Sequence, residues 1–287
     1  MQLKHILFPF DYSDRCRHAA PFVKAWVEKS GARLTILNVV EDPSVRLPAS
    51  ARFLIPPKEP DEILAASTGF LRRCATEIFP GKTVETVCRM GDPAKEIVCL
   101  AAETRANLIM MPTHGSGRFR AFVLGSVTAK VLNDAECPVW TDAHMEEHHR
   151  EMDLGIHVIV CGADDKEESV WLLKSASDIA DLYSATLHLI HVVPELEVYS
   201  SKLRAQWQHQ LIESGRLKMT ELRHNADITA EIDIESGPIS HMVRKAALEH
   251  KANLVVIGRG HAHGFLGRLR TNTYAIVRDS PCPVLSV

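Results

Sequence analysis

The sequence predicts an α/β protein of two tandem, doubly wound domains, each with a five-stranded parallel sheet. Three observations lead there. Short apolar runs alternate along the chain with stretches whose apolar residues recur at helical spacing, the order expected of βαβ units. One run, Leu34 to Val40, is apolar almost without interruption, as a strand buried on both faces must be. The second half of the chain also repeats the first, which marks an internal duplication.

In chain order, Ile6-Leu7-Phe8 forms a first strand, and Asp11 or Ser13 caps a helix with Cys16, Ala19, Ala20, Val23 and Val27 on one face, ended by Gly31. Leu34 to Val40 follows as the second strand. Between Glu41 and Pro60, prolines at Pro43, Pro48, Pro56, Pro57 and Pro60 exclude a regular helix or central strand and predict a long surface loop. Ile63, Ser67, Phe70, Cys74 and Ile78 mark the next helix, and Val84 to Cys88 the third strand. Asp92-Pro93 is a cap followed by proline at the first helical position, opening a helix through Ile97, Leu100, Ala101 and Thr104. Leu108 to Met111 is the fourth strand, Ala129 to Leu132 lies in the fourth helix, and Cys137 to Trp140 is the fifth strand. The polar run from Thr141 to Asp153 reads as a linker. Beyond it, Ile159 to Asp164 answers Ile6 to Asp11, Ser184 to Val193 answers Gly31 to Val40, and Ala252 to Gly258 answers Ala106 to Pro112. In place of the proline-rich loop, the second half has a longer helix with Leu203, Trp207 and Leu211 on one face. The domains are expected at 1–141 and 155–287, with a linker at 142–154.

Composition excludes several function classes. The 287 residues are 46% hydrophobic and 24% charged, with a net charge of −3, so nothing draws the whole chain to nucleic acid or an anionic membrane. Seven scattered cysteines, without a C-x-x-C pair, read as reduced thiols of a cytoplasmic protein. Met1 to Pro9 reads as an immediate strand rather than a signal peptide, and no apolar run reaches membrane-spanning length.

The informative stretch runs from Met111 to Thr128. It joins the fourth strand to the fourth helix, and nine residues separate Gly115 from Gly125-Ser126. Two small-residue points thus bracket a basic middle carrying Arg118 and Arg120. A helix N-terminus presents N–H groups without intrahelical partners, so this loop has the makings of a phosphate cradle. The plainer reading is a glycine-rich turn closing a βα unit.

With the closing Ala135-Glu136-Cys137-Pro138-Val139, this stretch resembles the nucleotide-binding signature G-x2-G-x9-G-[ST] of the universal stress protein family. Gly115, Gly125 and Ser126 stand at the second, third and fourth places. Pro112 stands at the first, where it removes a backbone N–H and fixes φ near −65°. The resemblance implies strand order 3-2-1-4-5 in each domain, a pseudo-two-fold relation between the two, and a ligand crevice between strands one and four. It further implies ATP or a related adenine nucleotide in the first domain, with magnesium or manganese on the triphosphate. The site would comprise Asp11, Val39, Met111, Pro112, Thr113, His114, Gly115, Arg118, Gly125, Ser126, Val127 and Thr128. Asp11 and the Val39 backbone would lie beside adenine and ribose, and His114 on phosphate or ribose. The expected role is stress sensing or signalling without dedicated catalysis, slow ATP hydrolysis or autophosphorylation at Ser126 being the alternative. Family members pair through fifth strands, which implies an intramolecular pseudo-dimer and leaves room for a homodimer.

The second half departs from the signature. Its loop, Gly258 to Thr271, is one residue shorter, and Arg270-Thr271 aligns with Gly125-Ser126. An arginine at the closest backbone approach obstructs a triphosphate, so this half is expected to have lost that ligand or to hold another. Asp164-Asp165 resembles the acidic pair of response-regulator receivers, but the third strand there ends Ser236-Gly237-Pro238 without an acceptor aspartate. Related nucleotide enzymes would carry S-G-G-x-D-S or H-x-G-H after strand one, where Pro9-Phe10-Asp11-Tyr12-Ser13 stands. The remaining rival is an interaction module or small-ligand carrier of the same fold. His144, His148 and His149 with Glu146 and Glu147 have metal-ligand chemistry, yet no second shell is visible and a solvated hinge is the default. His261 and His263, amid arginines, suit an anion-binding or pH-sensitive loop.

Overall fold

Helix ends are fixed by short-range chemistry. In the computed structural model, which describes residues 2–41, 60–113, 124–142, 154–196, 201–259 and 268–287, β1 (His5–Pro9) is wholly buried and leads into α1 (Asp14–Ser30). Ser13 is the cap, its hydroxyl accepting from the Cys16 N–H at 3.2 Å, while Asp11 accepts from the Ser13 N–H at 3.0 Å. The two candidate caps therefore share the turn. Gly31, at φ 69°, closes α1 by donating to Val27. The buried stripe of α1 ends in Trp26, with Val27 half-buried.

β2 (Arg33–Val40) pairs in parallel with β1. α2 (Pro60–Ile78) follows, then β3 (Val84–Met90), α3 (Pro93–Thr104), β4 (Leu108–Met111), α4 (Ser126–Asp134) and β5 (Val139–Thr141). Asp92 caps α3 by accepting from Lys95 N–H at 3.0 Å, with Pro93 opening the helix. α2 buries Leu71, Cys74 and Ala75, whereas Phe70 is 43% exposed. Phe70 lies edge-on to Tyr12 at 4.8 Å. Strand order is β3-β2-β1-β4-β5, the doubly wound order.

The second half contains β6 (Val158–Gly162), α5 (Ser169–Tyr183), β7 (Thr186–Val193), α6 (Ser201–Ala226), β8 (Glu231–Ser236), α7 (Ile239–Glu249), β9 (Leu254–Ile257), α8 (Arg268–Asp279) and β10 (Val284–Ser286). Its order, β8-β7-β6-β9-β10, is the same pattern. Shared hydrogen bonds make the duplication physical. Asn107 Oδ1 accepts from the N–H groups of Lys4 and His5, and Asn253 Oδ1 accepts from those of His157 and Val158, all at 2.9–3.0 Å. In α6 the buried apolar residues are Met219, Leu222 and Ala226, while Leu203 and Trp207 on the amino-terminal stretch are 44% and 46% exposed.

The chain divides into two compact units. Leu3–Arg120 with Gly125–Val139 makes one, and Trp140–Val287 is the body of the other. Among the described residues no helix is long and apolar enough to cross a membrane. The expected loop at 42–59, the linker histidines, and His114, Gly115, Arg118, His261 and His263 lie outside the described residues.

Candidate functional site

In the first unit the strand order reverses between β1 and β4, the place where doubly wound sheets bind ligands. β1 and β4 are in register at Ile6 with Leu108 and Leu7 with Ile109, so extending both strands brings Asp11 level with Thr113. Asp11 is exposed there. Val39 is half-buried on β2, and Met111, Pro112 and Thr113 are buried at the end of β4.

The base of the signature loop is closed by two bonds. Gly125 N–H donates to the Thr113 carbonyl at 2.9 Å, and the buried Thr128 hydroxyl donates to the Pro112 carbonyl at 3.1 Å. Together they fasten the start of α4 to the end of β4. The helix's first internal bond runs from Ala129 N–H to Gly125 carbonyl at 2.8 Å. The N–H groups of Ser126, Val127 and Thr128 therefore precede the first intrahelical bond and are the donors a helix N-terminus offers an anion. Gly125, with its N–H committed and φ −59°, acts as the N-cap. No acidic residue occupies the first turn of α4, so nothing there repels a negative ligand. Ser126 is exposed and Val127 half-buried.

Sequence reasoning missed a supporting residue. Asn38, buried within the apolar second strand, donates its amide to the Phe10 carbonyl at 2.8 Å and holds the chain just before Asp11. A lone polar residue inside an apolar run was the available signal. Lys130, one turn into α4, bonds Asp92 at 3.2 Å and so ties α4 to the cap of α3. The Asp92 carboxyl is held below its ordinary range, first by the Lys95 N–H and then by Lys130.

The second unit has an open pocket of about 580 Å³ at the carboxyl ends of β6, β7 and β9, a size suited to a small-molecule ligand. Its apolar wall includes Ile190, Val243 and Ile257, and its polar groups include Asp164, Lys166, His191 and Arg259. Asp164, the counterpart of Asp11, is already engaged by the Ser169 hydroxyl at 2.5 Å and by Lys166 at 3.4 Å. His191 is buried, with Nδ1 at 2.9 Å from the Ala163 carbonyl. A carbonyl only accepts, so Nδ1 carries the proton. The aligned position of Gly125, Arg270, falls inside α8, which already begins at Arg268. The shorter loop is therefore accompanied by an earlier helix start, and the two helix openings are not equivalent.

These features define a class: tandem α/β units, each with a doubly wound parallel sheet. The chain belongs to the universal stress protein family, whose pattern matches residues 2–141 and again 155–287. Universal stress protein Sll1654 of Synechocystis sp. is 32% identical over 139 residues, covering 48% of this chain and 85% of that protein. A universal stress protein of Thermus aquaticus is 31% identical over 143 residues, covering 47% of this chain and 96% of its own length. In fold, the chain is similar to a universal stress protein from Archaeoglobus fulgidus with TM-score 0.70 at 21% identity, covering 99% of this chain and 96% of that one.

Proposed function

We propose that the first unit binds an adenine nucleotide, ATP with magnesium or manganese, as the sensing element of a stress-response protein. The observation carrying this reading is the fastening of α4 to β4 through Thr113–Gly125 and Pro112–Thr128, which leaves the Ser126, Val127 and Thr128 amides at the head of the helix. A triphosphate accepts from such donors and is favoured by the helix dipole. Asp11 and Val39 would receive the nucleoside beside Met111, Pro112 and Thr113, and His114, Gly115 and Arg118, which lie outside the described residues, are the expected phosphate contacts. Family membership supports the ligand class.

The test is thermal denaturation with and without Mg-ATP. A ligand at about 100 times its Kd stabilises by roughly 2.7 kcal/mol. A rise in Tm that Ser126→Pro and Arg118→Ala reduce, with unchanged Tm in the absence of nucleotide, supports the assignment. No rise in any variant overturns it. Phosphate release measured alongside separates a binder from a slow hydrolase.

The cavity of the second unit favours a second reading, that of a small-ligand carrier. Val243→Phe narrows that cavity. Mass spectrometry of molecules released from the purified protein and from this variant separates the readings: a ligand lost with Val243→Phe belongs to the second unit, one lost with Ser126→Pro to the first.

A further inference from the structure

Away from both crevices, β7, β8 and the end of α7 bring metal-ligating side chains together. His188 is directly opposite Glu231 in the β7–β8 register, and side chains two apart on a strand share a face, so Asp233 lies on that face beside Glu231. α7 ends at His250, its C-cap, which covers the same spot. His250 Nε2 is 2.8 Å from Asp233 Oδ2, the His188 and His250 rings stack at 3.9 Å, and one ligand atom from each of His188, Asp233 and His250 falls within 4.8 Å of the others. Glu231 Oε2 is 3.3 Å from His188 Nδ1. That nitrogen is buried and makes no aligned hydrogen bond among the described residues. The next acid on the strand, Glu235, is engaged by Lys245 at 2.9 Å.

We propose that His188, Asp233 and His250 bind one divalent ion of the zinc class, with Glu231 as fourth ligand. Two imidazoles and carboxylate oxygens are a donor set suited to zinc, which takes four ligands at about 2.0–2.2 Å. An ion in the plane of both rings requires the stack to open. The terminal torsion of histidine is broad, so the half-buried His250 ring can turn while Asp233 stays in reach of the ion. The ion would clamp β8, the edge strand, to the end of α7. It would act on the stability of that edge and needs no nucleotide.

The experiment uses the tag-free full chain and zinc chloride in calorimetry, with Co²⁺ absorption as a reporter of coordination geometry. One saturable equivalent is expected, with visible cobalt bands of a four-coordinate site. His250→Asn and Asp233→Asn should each weaken binding by tenfold or more. The triple variant His144→Asn, His148→Asn, His149→Asn should leave it unchanged. No saturable binding, or binding that survives His250→Asn and disappears in the triple variant, overturns the proposal. Circular dichroism of each apo variant distinguishes a lost ligand from a lost fold.

Discussion

Asn38 and His191 occupy the same place in the two halves and make the same bond. Asn38 Nδ2 donates to the Phe10 carbonyl at 2.8 Å, and His191 Nδ1 donates to the Ala163 carbonyl at 2.9 Å. Each acceptor directly follows or closely trails the first strand of its half, where the chain leaves the sheet to enter the crevice. Different side chains thus satisfy one buried backbone requirement. Asn38→Leu and His191→Leu should each cost about 1–3 kcal/mol, because a buried carbonyl loses its partner. His191→Asn should cost less than His191→Leu, since an amide restores the donor. Urea denaturation midpoints check the ranking.

His5 should make the protein acid-sensitive. It is buried, with Nε2 at 2.8 Å from the Thr35 hydroxyl, and that hydroxyl donates onward to Glu85 at 2.8 Å. The Thr35 oxygen therefore accepts from His5, which puts the proton on Nε2 and leaves Nδ1 to accept from Arg33 at 3.1 Å. Burial first, and the Arg33 charge second, lower the pKa of His5 below its ordinary 6.5. The unfolded chain then takes up a proton before the folded one does. Stability is full above about pH 6.5 and falls as pH drops below it, by at most about 1.4 kcal/mol per pH unit for this group. His5→Gln should flatten that part of the profile relative to the parent, as read from denaturation between pH 8 and pH 5.

Gly91 should not accept a side chain. Its φ is 152°, its N–H donates to the Val40 carbonyl at 3.1 Å, and an added Cβ would meet Glu96 Oε1 at 3.0 Å and Cγ at 3.2 Å. Glu96 in turn pairs with Arg89 at 3.4 Å, so displacing it disturbs the end of β3. Gly91→Ala should destabilise by about 1–3 kcal/mol through backbone strain and the lost pairing. Gly237, its counterpart at φ 138°, would meet Met242 at 3.1 Å and should behave similarly. Thermal denaturation of the two single variants measures both effects.

What could be read from sequence divides along physical lines. Ser13, Gly31 and Asp92-Pro93 announce helix ends because capping is decided within a few residues. The strand order followed from resemblance, since periodicity alone leaves pairing open. Phe70 falls in α2, as its spacing predicts, but which residues of a helix are buried is not fixed by spacing alone, and Phe70 lies outside the buried stripe, against Tyr12. The pocket of the second unit is lined from β6, α5, β7, α7, β9 and α8, and no short stretch signals such a convergence. His188, Asp233 and His250 are likewise far apart in the chain and meet only through strand register and a helix end.

Thr128 connects the fastening of α4 to ligand binding. Its hydroxyl is buried, and its bond to the Pro112 carbonyl spans the base of the loop beside the Gly125–Thr113 bond. Thr128→Val keeps the shape and removes the donor, which should cost about 1–3 kcal/mol for the unsatisfied carbonyl. Thr128→Ser keeps the donor and should recover most of that loss. If the head of α4 holds a phosphate, the amides of Ser126 and Val127 must stay aimed at it, and freeing this end of the helix should weaken nucleotide binding as well as stability. The expected order of Mg-ATP affinity is parent, then Thr128→Ser, then Thr128→Val, measured by calorimetry at a temperature where all three are folded. Equal affinities alongside the expected stability loss would make Thr128 a purely structural fastener.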